Sequence, residues 1–137
     1  MATIRIKRTN EYSNRMRDYK IFIDEQEVGI IANGETKDFS TTNGKHTVRA
    51  KIDWCSSPDI FVDIYDNQTK NLKVGGFRYG QILMTIGLGL IILHFILLKF
   101  ANFEYTIFLV APLFLLIVYY LTIGRNRYLT LERIKEN

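Results

Sequence analysis

Two long apolar runs, residues 82–101 and 105–123, follow one another near the end of this chain with almost nothing between them. An α-helix rises about 1.5 Å per residue, so runs of about 20 residues match the roughly 30 Å hydrocarbon layer of a bilayer. The first run, ILMTIGLGLIILHFILLKFA, carries one strongly polar residue before its far end, His94. The second, YTIFLVAPLFLLIVYYLTI, carries no charge. A core helix of a soluble protein would show a polar stripe, and neither run has one. The pattern predicts two membrane spans. Both runs lie after residue 80 and the opening MATIRIKRTN has no apolar stretch, so neither reads as a signal peptide. The connector 102–104 is too short for a domain, which predicts an antiparallel helical hairpin with both flanks on one side.

Lys73, Arg78, Arg125, Arg127, Arg133 and Lys135 lie on that shared side, against Lys99 on the connector side with Glu104 close by. Lys and Arg near helix ends concentrate on the cytoplasmic side, so the expected placement is an inner-membrane protein with both termini in the cytoplasm. The overall balance agrees: 18 Lys and Arg against 14 Asp and Glu give +4. Cys55 stands alone, so no disulfide framework points to an oxidising compartment.

Ahead of the apolar runs, short β-prone segments alternate with turn chemistry. The expected strands are 3–7, 19–24, 28–32, 36–39, 45–53, 60–65 and 70–74. The clearest is 45–52, where His46, Val48, Ala50 and Ile52 alternate with Lys45, Thr47, Arg49 and Lys51. Period two, with one apolar and one cationic face, is the mark of a half-buried strand. Asn33-Gly34 and Asn43-Gly44 read as tight hairpin turns, because Asn and Gly tolerate positive φ. Turn signals about every 8–12 residues favour an antiparallel β-sandwich of immunoglobulin-like size over any α/β arrangement. Its expected core includes Ile4, Tyr19, Ile21, Val28, Ile30, Val48, Trp54 and Val74. The layout is then a cytoplasmic β-sandwich (1–78), a transmembrane hairpin (79–124) and a basic cytoplasmic tail (125–137), with Gly75-Gly76 as a hinge before the first span.

Within 19–51, Ile23-Asp24, Val28-Gly29 and the stretch Asn43-Gly44-Lys45-His46-Thr47-Val48 resemble a PEGA-type module. Two places differ from that family's pattern: Glu25 stands where it usually has Gly, and Asn33-Gly34-Glu35-Thr36 stands in place of Pro-Glu-Gly-Ala. The resemblance implies a small β-sandwich that accompanies envelope and membrane proteins in a binding role, with no catalytic residues. The whole layout also resembles a group of small bacterial membrane proteins.

No catalytic constellation emerges, so an enzyme is not expected. Cys55 is a candidate thiol, yet His46 lies about 30 Å away along an extended strand, too far to activate it. One Cys and two His, one of them inside an apolar run, supply no recognisable metal-ligand set, and no cofactor is expected. The best candidate surface is cationic. Arg5, Lys7, Arg8, Arg15 and Arg17 lie near the N-terminus, and Lys45, Arg49 and Lys51 form the outward face of the long strand. Beside a cytoplasmic leaflet such charges are drawn to anionic lipid. A nucleic-acid role is disfavoured, because interleaved stacking aromatics are missing. Trp54 is the candidate loop anchor. In the first span, His94 is expected to pack between helices, with Thr85 and Gly89 giving the second helix close approach.

These features describe a non-enzymatic binding or scaffolding module on a membrane anchor. Its partners would be the membrane, another membrane protein or a second copy of itself. An accessory subunit of a transporter or channel is the alternative.

Overall fold

The computed structural model describes residues 1–101, 105 and 107–134. In chain order its elements are β1 (Ala2–Arg8), β2 (Tyr19–Ile23), β3 (Gln26–Ile31), β4 (Thr36–Thr41), β5 (Gly44–Ile52), β6 (Cys55–Ser56), β7 (Ile60–Ile64) and β8 (Thr69–Gly75). They continue with α1 (Gly80–Ala101), α2 (Ile107–Leu121) and β9 (Thr130–Arg133). One sheet runs β4-β1-β8-β9; the other runs β3-β2-β5, with β6 and β7 both paired to β5. The inward side chains of both sheets form one core around Ile4, Ile6, Tyr19, Ile21, Val48 and Val74. The arrangement is sandwich-like, and pairing is antiparallel except between β1 and β8, which run parallel.

The alternation read along the longest strand is what the fold uses. His46, Val48, Ala50 and Ile52 point inward, and the residues between them are half-buried or exposed. Across from β5, the register slips at Pro58: Lys51 pairs with Ser56, but Val48 pairs with Ile60. Ser57 covers the gap. Its N–H donates to the Ala50 carbonyl (2.9 Å), and its hydroxyl accepts from the Ala50 N–H (3.0 Å).

Several expectations are corrected. Asn33-Gly34 and Asn43-Gly44 do not close hairpins; they lie where the chain crosses between sheets, into and out of β4. Tight two-residue turns fall instead at Asp24-Glu25, with φ of 49° and 66° at its two centres, and at Asp53-Trp54 between β5 and β6. A bulge in β3 shifts the pairing between Ile21 and Phe22, leaving Val28 as the extra residue. Inside-outside alternation is reset there, so Ile31 is buried while Val28 and Ile30 are exposed. Trp54 also lies outside the core, 64% exposed. The stretch expected to be a free basic tail is, over its described part, structural: β9 extends the first sheet beside β8, and Leu129 and Leu131 enter the core.

Of the two helices, α1 has 22 residues, about 33 Å at 1.5 Å each. Among the described residues it is the one helix long and apolar enough to cross a membrane, and none of it is buried. The second run forms a shorter apolar helix, α2, of 15 residues with Pro112 inside it, about 22 Å long. Of the expected pair of full-length spans, only the first has the length among the described residues, and the second is a shorter apolar helix. The connector 102–104 lies outside the described residues.

Candidate functional site

The sandwich meets its helices at one end, and most of the unusual chemistry gathers there. Gly75 and Gly76 leave β8 buried, and the Gly76 N–H donates to Glu11 Oε1. The same carboxylate takes the Thr9 hydroxyl on Oε1 and the Tyr19 hydroxyl on Oε2 (2.8 Å). Asn14 Nδ2 donates to the Tyr19 oxygen (3.1 Å). Burial, with the Glu11 carboxylate alongside, raises the Tyr19 hydroxyl well above its ordinary value. A Cβ at Gly76 would stand 2.3 Å from Glu11 Oε2 and 2.7 Å from Asn14 Nδ2. The two glycines are thus a clamp and not the expected hinge.

Rings complete the joint. Phe77 stacks on Tyr128 (centroids 5.5 Å apart) and lies 4.5 Å from Tyr120, tying the start of α1 to the end of α2. Trp54, at the β5–β6 turn, donates its indole N–H to the Leu121 carbonyl (3.1 Å), satisfying an orphan acceptor at the last turn of α2. The loop-anchor expectation for Trp54 thereby finds an intramolecular partner. Tyr12 and Met16 of the β1–β2 loop are 88% and 95% exposed on this same end.

The expected cationic face is dismantled pair by pair. Arg8 is fully buried: it donates to the carbonyls of Asn14 (2.7 Å), Arg17 (2.6 Å) and Ile31 (3.1 Å), and its guanidinium lies 3.6 Å from the Tyr19 ring centroid. It is no surface contact. Arg5 forms a two-pronged pair with Asp38 (2.7 and 2.8 Å), and Arg49 does the same with Asp59 (2.5 Å each). Arg17 pairs with Asp53, and Lys51 sits 4.4 Å over the Phe22 ring. Lys7, Arg15 and Lys45 are exposed, without an ion pair among the described residues.

In α1, the half-buried positions Leu83, Gly87, Leu90, His94 and Leu97 repeat at heptad spacing, and α2 lies against this helix. His94 shares that stripe, its ring 5.8 Å from that of Phe95. Thr85 and Gly89 do not. Both are exposed on another face, and a Cβ on Gly89 would meet nothing within 4 Å.

Cys55 is buried, and burial pushes its thiol up, the opposite of an activated nucleophile. Among the described residues no group of three or more His, Cys, Asp or Glu is placed to hold a metal ion. The titratable pair that sequence reasoning missed is His46 with Asp24. His46 Nδ1 contacts Asp24 Oδ2 (2.5 Å), and Nε2 lies 2.9 Å from the Thr42 carbonyl. Both partners are acceptors, so the doubly protonated ring is satisfied and the His46 pKa is raised, chiefly by Asp24. The Asp24 carboxyl is lowered, first by His46 and then by the Thr47 N–H.

Stability from His46 is full below its unfolded value near 6.5 and is lost as pH rises through the higher folded value. Stability from Asp24 is full above its unfolded value near 3.8 and is lost as pH falls through the lower folded value. The pair therefore supports the domain best between about pH 4 and 6.5. Thermal unfolding of the full-length protein in detergent should show a midpoint that falls as pH rises above this window. His46→Gln should flatten that fall, and an equally steep fall in the variant would remove His46 as its cause.

Protein-family models, curated proteins and solved structures contain no match to this chain.

Proposed function

We propose that this chain is a membrane-anchored, non-enzymatic binding module that holds a small PEGA-like β-sandwich against the cytoplasmic face of the inner membrane. The observation that carries the reading is the joint. The long apolar helix α1 leaves the sandwich through a buried glycine pair clamped by Glu11, and Phe77 packs onto Tyr120 and Tyr128 at the end of α2. A domain joined this way keeps a fixed attitude to its anchor, which suits presenting a surface and not swinging on a tether. The two helices serve as the legs of a hairpin: α1 starts at the sandwich, α2 ends on it with Leu121 against the core, and β9 completes the sheet beyond. The β2–β3 turn supports the PEGA-like reading, since Glu25 at φ 66° occupies the position where that family carries glycine.

Topology is the test. Green fluorescent protein fused after Asn137 should fluoresce, and alkaline phosphatase at the same place should stay inactive, because the first works only in the cytoplasm and the second only outside it. The reverse pattern would overturn the orientation. Release of the protein from membranes by alkaline carbonate would overturn the anchor itself.

A further inference from the structure

A niche of about 700 Å³ opens where the β4-β1-β8-β9 sheet meets the root of α1. That volume falls within the range of small-ligand sites. Its lining changes character along its length. At the sandwich end stand Lys73, Arg78, Ser13 and the loop residues beside them; along α1 stand Gln81, Met84, Thr85 and Leu88. The last four recur at i, i+3, i+4 and i+7, so they make one face of the helix. Met84 and Leu88 are 63% and 60% exposed on it. Thr85, expected to pack helices together, lines this niche.

Two cations, Lys73 and Arg78, and two carboxylates, Glu11 and Glu132, line the niche, so an anion would be held by direct contact with the cations and not by a net positive charge. Lys7 and Lys73 are direct register partners on β1 and β8, on the outer face of the sheet. Like charges placed opposite each other on a ladder destabilise it. Neither lysine, nor Arg78, has an ion-pair partner among the described residues. Of the two carboxylates on the wall, Glu11 is taken up by Gly76, Tyr19 and Thr9. Glu132 is the other, the register partner of Lys73 on its far side.

We propose that this niche binds one anionic phospholipid from the cytoplasmic leaflet, its phosphate held by Lys73 and Arg78 and its acyl chain lying along Met84 and Leu88. Cations at the sandwich base and apolar side chains beginning one turn into α1 match the order of a lipid, headgroup outermost and hydrocarbon within. A soluble phosphate would use the first half of the site and leave the second unmatched. The inference rests on α1 spanning a bilayer, and carbonate extraction tests that reading separately.

The experiment is native mass spectrometry of the full-length protein in mild detergent, titrated with phosphatidylglycerol, with phosphatidylcholine, or with glycerol 3-phosphate. One phosphatidylglycerol should bind about tenfold more tightly than phosphatidylcholine. Lys73→Ala and Arg78→Ala should each weaken it about tenfold, the scale of losing one charge-assisted hydrogen bond. Glu132→Gln should tighten it, and Lys45→Ala, on the other sheet, should leave it unchanged. Glycerol 3-phosphate should not displace it. Equal binding of the two lipids, or wild-type affinity in both the Lys73 and Arg78 variants, would overturn the proposal. Full displacement by glycerol 3-phosphate would assign the site to a free phosphate ester and overturn the lipid.

Discussion

Replacing Gly76 by alanine should destabilise the full-length protein by about 3 kcal/mol, because overpacking and the displacement of a part-buried hydrogen bond fall on the same spot. The added methyl would enter a space whose nearest atoms are Glu11 Oε2 at 2.3 Å, Asn14 Nδ2 at 2.7 Å and the Tyr19 hydroxyl at 3.0 Å. All three are side-chain ends, but they are tied to one another by hydrogen bonds. Glu11 is fixed by the Gly76 N–H, by Thr9 and by Tyr19, so moving its carboxylate breaks the bonds that hold the joint. Denaturant unfolding followed through Trp54, the single tryptophan, reads this junction directly. A double-mutant cycle makes the cause specific. Glu11→Ala alone also destabilises, since it strands the Gly76 and Tyr19 donors. In that background the carboxylate no longer blocks a methyl at position 76, so the two losses should couple by about 2 kcal/mol and fall short of additive. Additive losses, or a Gly76→Ala protein within about 0.5 kcal/mol of wild type, would mean that the joint yields and the fixed attitude proposed for the sandwich is wrong.

The clamp illustrates which parts of this molecule were legible in the sequence. Alternation is a local signal. It placed β5 with its inward His46, Val48, Ala50 and Ile52, and it located most other strands to within a residue or two. Glycine is ambiguous, because the same residue serves a flexible hinge and a crowded crossing. Only the position of Glu11, a partner 65 residues away, decides between them. Val28 and Ile30 looked like core because a bulge has no compositional mark of its own; the register reset that turns Ile31 inward is a property of the pair of strands. β9 was hidden for a related reason. Its Leu131, and Leu129 just before it, lie among charged residues that read as a tail, and the strand exists because the returning helix delivers it to the open edge of β8.

The cationic surface failed differently. A run of arginines and lysines states the charge of a segment but not the address of each carboxylate. Asp38, Asp53 and Asp59 lie between 10 and 36 residues from their arginines and are brought to them by sheet pairing and turns. Of that set, Lys7, Arg15 and Lys45 stay exposed without an ion pair among the described residues, while Lys73 and Arg78, outside the set, stand at the root of α1.

Arg8→Ala should be the other severe substitution, costing about 3–5 kcal/mol, while Lys7→Ala beside it should cost less than about 1 kcal/mol. Adjacent basic residues thus differ severalfold for a physical reason. Along β1 the side chains alternate, and Arg8 falls on the inward face, fully buried, while Lys7 points to solvent. Burying a guanidinium is unfavourable unless its donors are used and its plane is stacked. Arg8 meets most of those terms with three backbone carbonyls, two from the β1–β2 loop and one from β3, and with the Tyr19 ring beneath it, while its Nε–H is left without a partner among the described residues. Truncation removes the desolvated charge, which offsets part of the loss, but it strands the Ile31 carbonyl, opens a cavity against Tyr19 and frees the β1–β2 loop at Asn14 and Arg17. Lysine is no substitute: a compact ammonium cannot fork between carbonyls and stack on a ring at once, so Arg8→Lys should lose more than half as much as Arg8→Ala. Limited trypsin digestion separates this structural role from a surface one, since Arg15 and Arg17 lie in the loop that Arg8 holds. Faster cleavage there in Arg8→Ala, with Lys7→Ala unchanged, is the expected result. Equal and small effects of the two substitutions on unfolding would return Arg8 to the surface and leave the β1–β2 loop without the fastening assigned to it here.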